Sequence, residues 1–360
     1  MTIIAQNKQY LSGLQENDLI SLVETLNWPA FKAKQIHSWI YKKWVSSFDE
    51  MTDLSIKERN TLKESYILSP LVLFEKQVSN DKTIKYLWKL EDGNYVESVR
   101  MFLEDHESYS ACISSQVGCA VGCPFCATGT VNFKRNLKAN EIIDQVLGIQ
   151  RDTKERISNI VFMGQGEPLL NYDELLKAIQ IIKGSVSIGG RRITISTSGI
   201  VPKIKKLADE KLQITLAVSL HAPDQETRET LVPISKKYEI KELMESLHYY
   251  YEKTNRRITL EYVLLDNIND QSEKARELGS LIKDLHCHIN LIPYNKIYLD
   301  SSINQNPEKS LVLKRSATET IYKFKDILER TSGKKVTIRR ERGLDIDAAC
   351  GQLANRIVQS

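Results

Sequence analysis

From Tyr109 onward the chain repeats one arrangement, a short apolar strand, a loop and an amphipathic helix, and this restricts the fold more than any other feature. Residues 111–115, 157–163, 192–196, 213–220, 258–265, 288–293 and 335–339 carry β-branched or apolar runs of strand length. Between them, 139–151, 172–183, 203–210, 240–254 and 271–285 show helical spacing. Strands alternating with helices predict an α/β fold with a parallel sheet and helices outside, either an open doubly wound sheet or a full or partial barrel. Residues 295–307 are polar and aperiodic, an excursion loop.

The preceding part of the chain reads differently. Helices are predicted over 16–26, 31–45 and 56–65, with Asn27-Trp28-Pro29 breaking the first from the second. Alternation over 72–78 and 83–90, then an Asp92-Gly93-Asn94 turn into 95–103, predicts a small antiparallel unit of two or three strands. The expected division is therefore 1–70, helical; 71–105, a β-hairpin linker unit; 106–340, the alternating core; and 341–360, a C-terminal segment. Hydrophobic content of 41% and charged content of 27% are ordinary for a soluble globular protein. No apolar run approaches the ~20 residues of a membrane span, and no basic stretch precedes an apolar one at the N-terminus. A cytoplasmic protein without a membrane partner is expected. The net charge of +4 permits a polyanionic partner without demanding one.

Six cysteines in a reducing compartment point to metal or redox chemistry rather than disulfides. Cys119-x₃-Cys123-x₂-Cys126 follows the first strand of the repeat on a single loop. Three thiols so spaced can wrap a cubane cluster and ligate three of its irons. The fourth iron stays open, able to chelate a substrate and pass it one electron. Structural zinc prefers four closed ligands, usually in pairs; no second pair lies nearby, and His106 is the only close nitrogen. Cys112, taken alone, reads as a buried strand cysteine, and so does Cys287.

This spacing, with Phe125 before its last cysteine, resembles the signature of the radical S-adenosylmethionine (SAM) superfamily. The resemblance narrows with the order of 112–119 (CISSQVGC), 164–168 (GQGEP), 196–199 (STSG), 219–223 (SLHAP), 290–295 (NLIPYN) and 343–353 (GLDIDAACGQL). Together these resemble the radical SAM adenine-C2 RNA methyltransferases, which act on 23S ribosomal RNA and, in some members, on tRNA. The likeness spans nearly the whole chain. Gln165 stands where that family usually carries methionine, and 295–307 lacks its usual Gly/Pro-rich pattern.

The resemblance implies a partial (β/α)6 barrel with an N-terminal helical, RNA-binding accessory domain and the hairpin unit beside it. It implies a [4Fe–4S] cluster on Cys119, Cys123 and Cys126, and SAM held by Gly166, Glu167, Ser198, Ser219, Leu220, His221 and Asn295. Glycine at 164 and 166 would let the backbone approach the ligand closely. Adenine C2 has no lone pair with which to attack a sulfonium methyl, so the family uses a thiolate as methyl carrier. Cys350 matches that carrier, Cys112 the thiol that later frees it through a transient disulfide, and Glu97 the proton acceptor. By itself, a glutamate on a hairpin strand reads as a solvated face. The implied partners are 23S rRNA (protein-free or in early assembly), tRNA next to the anticodon, and an electron donor such as flavodoxin or ferredoxin.

Lys32, Lys34, Lys42 and Lys43 interleave with Trp39, Tyr41 and Trp44 without an acidic residue between 29 and 47, a pattern suited to RNA. A core helix with outward lysines explains Trp39 and Trp44 better. Arg339, Arg340 and Arg342 adjoin the Cys350 segment and are better placed to steer RNA, whose target adenosine must be flipped out or single-stranded. Two alternatives stay open: a relative that methylates adenine C8, and a non-catalytic, zinc-bearing RNA-binding protein.

Overall fold

A computed structural model describes residues 8–104, 107–297 and 313–355. His106 and residues 298–307 of the expected excursion loop lie outside the described residues. The N-terminal unit comprises β1 (Gln9–Tyr10), α1 (Glu16–Thr25), α2 (Phe31–Tyr41), α3 (Ile56–Ser65) and β2 (Tyr66–Ile67), with β1 and β2 paired in parallel. Ser55 starts α3 through a reciprocal cap: its hydroxyl accepts from the Glu58 N–H at 3.3 Å, and its own N–H donates to the Glu58 carboxylate at 2.7 Å. Leu19, Leu22 and Val23 of α1 and Ala33, Ile36 and Ile40 of α2 are buried in one core. α2 stops at Tyr41 rather than at the expected Val45. Trp44 takes a left-handed φ of 51°, and the N–H groups of Lys42 and Lys43 both turn back to the Ser38 carbonyl. Trp39 and Trp44 lie partly buried against the core, and Lys43 sits 3.3 Å over the Trp39 ring.

Beyond this unit come β3 (Val72–Val78), β4 (Ile84–Lys89), β5 (Tyr95–Leu103), β6 (Ser108–Cys112), β7 (Gln116–Val117), α4 (Ala127–Thr130), β8 (Arg135–Asn136) and α5 (Ala139–Thr153). Then follow β9 (Ile157–Phe162), α6 (Tyr172–Gly184), β10 (Ile193–Thr197), α7 (Val201–Asp209), β11 (Thr215–Ser219), α8 (Gln225–Leu231) and α9 (Ile240–Thr254). The chain continues through β12 (Ile258–Leu264), α10 (Ser272–Leu281), β13 (Cys287–Pro293), α11 (Thr318–Ser332) and β14 (Val336–Ile338).

One ten-stranded sheet runs β14-β13-β12-β11-β10-β9-β6-β5-β4-β3. It is parallel from β6 to β14 and antiparallel from β3 to β6. A strand order that never doubles back sends every crossover helix to the same face, because such crossovers share one hand. The other face becomes an interior, and since β3 and β14 are edges that pair with no further strand among the described residues, the barrel is partial. The hairpin strands are continuous with that barrel through the β5–β6 ladder.

The first core strand is displaced from expectation: β6 covers Ser108–Cys112, not 111–115. The Ile113 N–H still donates to the Val161 carbonyl at 3.0 Å, and beyond it the chain leaves the ladder, as the Ser114 N–H turns to the Gln145 side chain at 2.8 Å. Cys112 therefore ends its strand at the rim where site loops begin. α8 and α11 were not among the expected helices. α5 joins the two units. Asp144, fully buried, accepts from the Leu71 N–H at 3.2 Å and from Arg151 at 3.2 Å, while Arg151 donates to the Val45 carbonyl at 3.1 Å. A side chain at Gly148 would meet the Trp88 ring at 2.7 Å, so glycine is what lets α5 close on β4.

Candidate active site

Three cysteines, Cys119, Cys123 and Cys126, stand on the loop between β7 and α4 and line one cavity of about 170 Å³ at the C-terminal ends of the strands. That is the end where barrel sites assemble. Burial pushes all three thiols above their ordinary value, Cys119 up to about 12. Among the described residues, no three Cys, His, Asp or Glu side chains converge on a position for a single metal ion. Three thiols spread around a cavity suit a multi-iron cluster better than a closed zinc site.

The opposite wall comes from the loops after β9, β10, β11 and β13. Glu167 is buried and braces two of them: its carboxylate accepts from the Ser198 N–H and hydroxyl, each at 2.7 Å, and from the Leu169 N–H at 2.9 Å. Burial raises its pKa against those bonds. A Cβ at Gly166, whose φ is +96°, would lie 2.5 Å from Gln116, and one at Gly164 would lie 2.6 Å from Ser114. The cradle thus exists only with glycine there. Ser198, Ser219 and His221 line the cavity; Leu220 does not. Its side chain is in the core, and its N–H donates to the Glu261 carbonyl at 3.0 Å. Asn295 donates to the Cys350 carbonyl at 3.1 Å, and its own side-chain oxygen is buried without a partner among the described residues. An orphaned acceptor in a glycine-lined cradle fits a polar ligand such as SAM.

His221 adopts a left-handed φ of 61°, accepts at Nδ1 from the Val263 N–H at 3.0 Å, and meets the Phe125 ring edge-on at 4.8 Å. Burial, with Arg228 adding to it, pulls its pKa to about 3. The folded chain therefore refuses a proton that the unfolded chain accepts below pH ~6.5. Stability due to His221 is intact above that pH and is lost as the pH falls toward 3. Asparagine tolerates the same backbone and can accept the same bond. The stability advantage of wild type over His221→Asn is expected to shrink by roughly 2 kcal/mol between pH 7 and pH 5 in urea titrations.

Sequence reasoning missed Arg228. A charged residue on a short helix reads as solvent-facing, yet this one is 1% exposed. Its guanidinium donates to the Ser198 carbonyl at 2.7 Å and the Ser219 carbonyl at 3.2 Å, holding together two loops of the cavity wall. Among the described residues it makes no ion pair; burial draws its pKa down to about 10, and Cys123 opposes that shift.

Cys350 stands at the junction of this cavity with a larger one of about 340 Å³, and it lines both. The strap that carries it is tied down along its length. The Gly343 N–H donates to Asp81 at 2.9 Å, Asp345 accepts from Ser79 at 2.5 Å, the Gly351 carbonyl accepts from the Ala127 N–H at 2.6 Å, and the Leu353 carbonyl accepts from Thr128 at 2.7 Å. Cys112, which lines the larger cavity together with Cys350, packs with Val99, Ala348 and Leu353. Burial and then the neighbouring Cys350 push the Cys112 thiol up to about 12, while Arg339 pulls the other way. Arg339 lies 3.7 Å from Glu261. Cys350 and, after it, Glu261 hold its guanidinium above its ordinary value against burial.

Glu97 lines neither cavity. It is no solvated face either, being 1% exposed between neighbouring strands and the strap. Its carboxylate accepts from the Asn355 N–H at 3.0 Å and lies 3.8 Å from Lys85. Gln165, the residue that departs from the family's usual methionine, accepts from the Glu97 N–H at 3.1 Å and so fixes that strand position. Of the two basic groups, Arg339, Arg340 and Arg342 line the larger cavity. On α2, Lys32 is held by Glu58 at 3.1 Å. Cys287 is buried and lines neither cavity.

A sheet of this order with three cysteines on the loop after its first parallel strand defines a radical SAM protein, and the Radical SAM superfamily model matches residues 113–279. The ribosomal RNA large subunit methyltransferase N-terminal domain model matches residues 9–68. The chain is 46% identical to the probable dual-specificity RNA methyltransferase RlmN of Staphylococcus saprophyticus, over 96% of this chain and 93% of that one. It is 46% identical to the protein of the same description from Alkaliphilus oremlandii, over 97% and 98%. A crystal structure of a radical SAM methyltransferase from Sphaerobacter thermophilus superposes with a TM-score of 0.89 at 40% identity, covering 97% of this chain and all of that one. The chain belongs to the RlmN family of radical SAM RNA methyltransferases. Among the described residues, no helix is long and apolar enough to cross a membrane.

Proposed function

We propose that this protein methylates C2 of an adenosine in 23S rRNA, and in tRNA next to the anticodon, with Cys350 as the methyl carrier. The observation that carries the reading is the position of Cys350, which opens on one side to the three-cysteine cavity and on the other to the larger cavity shared with Cys112. A thiol there can receive a group on one side and hand it over on the other.

Cys119, Cys123 and Cys126 would hold a [4Fe–4S] cluster. Gly166, Glu167, Ser198, Ser219, His221 and Asn295 would form or brace the SAM cradle, with Leu220 contributing through the core behind it. When bound, the cluster and SAM supply a transferable methyl group and a carbon radical that removes a hydrogen atom from the methylated carrier. Cys350 takes the methyl group as a thiolate, with the Arg339 guanidinium lining the same two cavities. The carbon on the Cys350 sulfur then bonds to adenine C2, the C2–H bond breaks with its proton leaving to a base, and the unpaired electron passes back to the flavodoxin or ferredoxin carrier, so that RNA and protein are joined by a thioether. Cys112 resolves this link. Its thiolate attacks the Cys350 sulfur, an S–S bond forms, and the C–S bond breaks with its electron pair passing to the methylene carbon, which takes up a proton as the new methyl group. Cellular thiols reopen the disulfide. Glu97 is the acceptor for the C2 proton, a role that requires its carboxylate to exchange the Asn355 N–H for the substrate. Flavodoxin or ferredoxin would supply electrons, and a cytoplasmic setting suits both the thiol chemistry and the RNA.

The test is the site of the added methyl group. Mass spectrometry of nucleosides from RNA treated with the cluster-loaded enzyme is expected to give 2-methyladenosine. The 8-methyl isomer would replace this reading with the C8 alternative.

A further inference from the structure

The larger cavity extends well past Cys350. Side chains alternate between the faces of a strand, so Thr194 and Ser196 of β10 share the inner face, and Arg191 and Arg192, in the turn just ahead of β10, line the same cavity as Thr194. The cavity follows that face: Cys112 and Thr194 line it at the level of Val161, Asn159 lines it two residues nearer the N-terminal ends of the strands, and Arg191 and Arg192 line it just ahead of β10. It therefore runs down the inside of the sheet, from the C-terminal strand ends to the start of β10.

Its charges are lopsided. Arg191, Arg192, Arg339, Arg340 and Arg342 line it against the single carboxylate of Glu341. Glu341 is already engaged by Arg315, Arg340 is tied to Glu104 at 2.7 Å, and Arg339 is shared with Glu261. Arg191 and Arg192 are exposed, and their guanidiniums make no ion pair or hydrogen bond among the described residues. Adjacent like charges left unpaired at the mouth of a cavity repel each other and stand ready for an anion. Guanidinium is well matched to phosphate, which it can grip with two parallel hydrogen bonds. The methyl-donor cradle is on the far side of Cys350, so these residues play no part in it. A base placed beside Cys350 continues through its ribose into phosphodiesters, and the cavity offers the path along which they would run.

We propose that Arg191 and Arg192 form a phosphate subsite for the RNA segment adjoining the target adenosine. This rests on the placement of that base beside Cys350 proposed above. Binding of a synthetic RNA hairpin with an unpaired loop adenosine would be measured over a range of salt for the cluster-loaded wild type, Arg191→Ala/Arg192→Ala and Arg191→Lys/Arg192→Lys. Loss of two single-strand phosphate contacts is expected to reduce the slope of log affinity against log salt by roughly 1.4 in the alanine pair, at about 0.7 per contact. The lysine pair keeps the charge and should restore most of that slope. Methylation of Cys350 by SAM without RNA should match wild type in both, which separates this subsite from the carrier chemistry. An unchanged slope in the alanine pair overturns the subsite. Should that pair melt early, Arg191→Gln/Arg192→Gln decides by the same slope. Failure of wild type to methylate Cys350 would instead defeat the carrier reading and leave the slope comparison standing.

Discussion

Cys350→Ala is expected to lower RNA methylation by at least ~10³-fold, the scale of loss when a covalent nucleophile is removed. Among the described residues, the only cysteines lining both cavities are Cys350 and Cys126, and Cys126 belongs to the proposed cluster loop. Cys112 lines only the larger cavity, so it has no access to a methyl donor in the smaller one. No other thiol can substitute. The cluster loop is untouched by this change, so reductive cleavage of SAM should persist. Liquid chromatography of methyladenosine and of 5′-deoxyadenosine from the same reaction checks both halves.

Cys112→Ala should fail later and visibly. The methyl group reaches Cys350 and carbon bonds to the RNA, but nothing attacks the Cys350 sulfur to release it. RNA cross-linked to protein should accumulate to about one per enzyme, seen as a shifted band on a denaturing gel that resists thiol reductants. Product should form at most once per enzyme, by slow leakage. A variant that turns over normally without a cross-link would remove Cys112 from the pathway. Its surroundings suit a held reserve: burial keeps the thiol protonated, and Arg339 is the nearby cation that can favour its ionised form.

Much of this was legible in the sequence because the barrel is written in short-range signals. The runs 258–264 and 287–293 are apolar and β-branched enough to read as strands without context, and the helix between Ile240 and Thr254 matches its expected span. The spacing of Cys119, Cys123 and Cys126 carries its own chemistry. Other features depend on partners remote in the chain. α2 ends early where Trp44, packed partly buried against the core, takes a left-handed φ that its own propensity disfavours. Cys112 and Cys350 line one cavity because the strap after β14 packs Ala348 and Leu353 against Cys112. Arg228 is illegible for the same reason, since its partners are carbonyls on two other loops. Glu97 looks solvated until the strap covers it.

The central claim is that Cys350 carries the methyl group between two cavities. Incubating the cluster-loaded protein with SAM bearing a deuterated methyl group, without RNA, and sequencing the peptide around 343–353 by mass spectrometry tests it directly. One labelled methyl group is expected on the Cys350 sulfur, and it should pass to RNA added afterwards. An unlabelled Cys350 in a preparation that still methylates RNA would contradict the account.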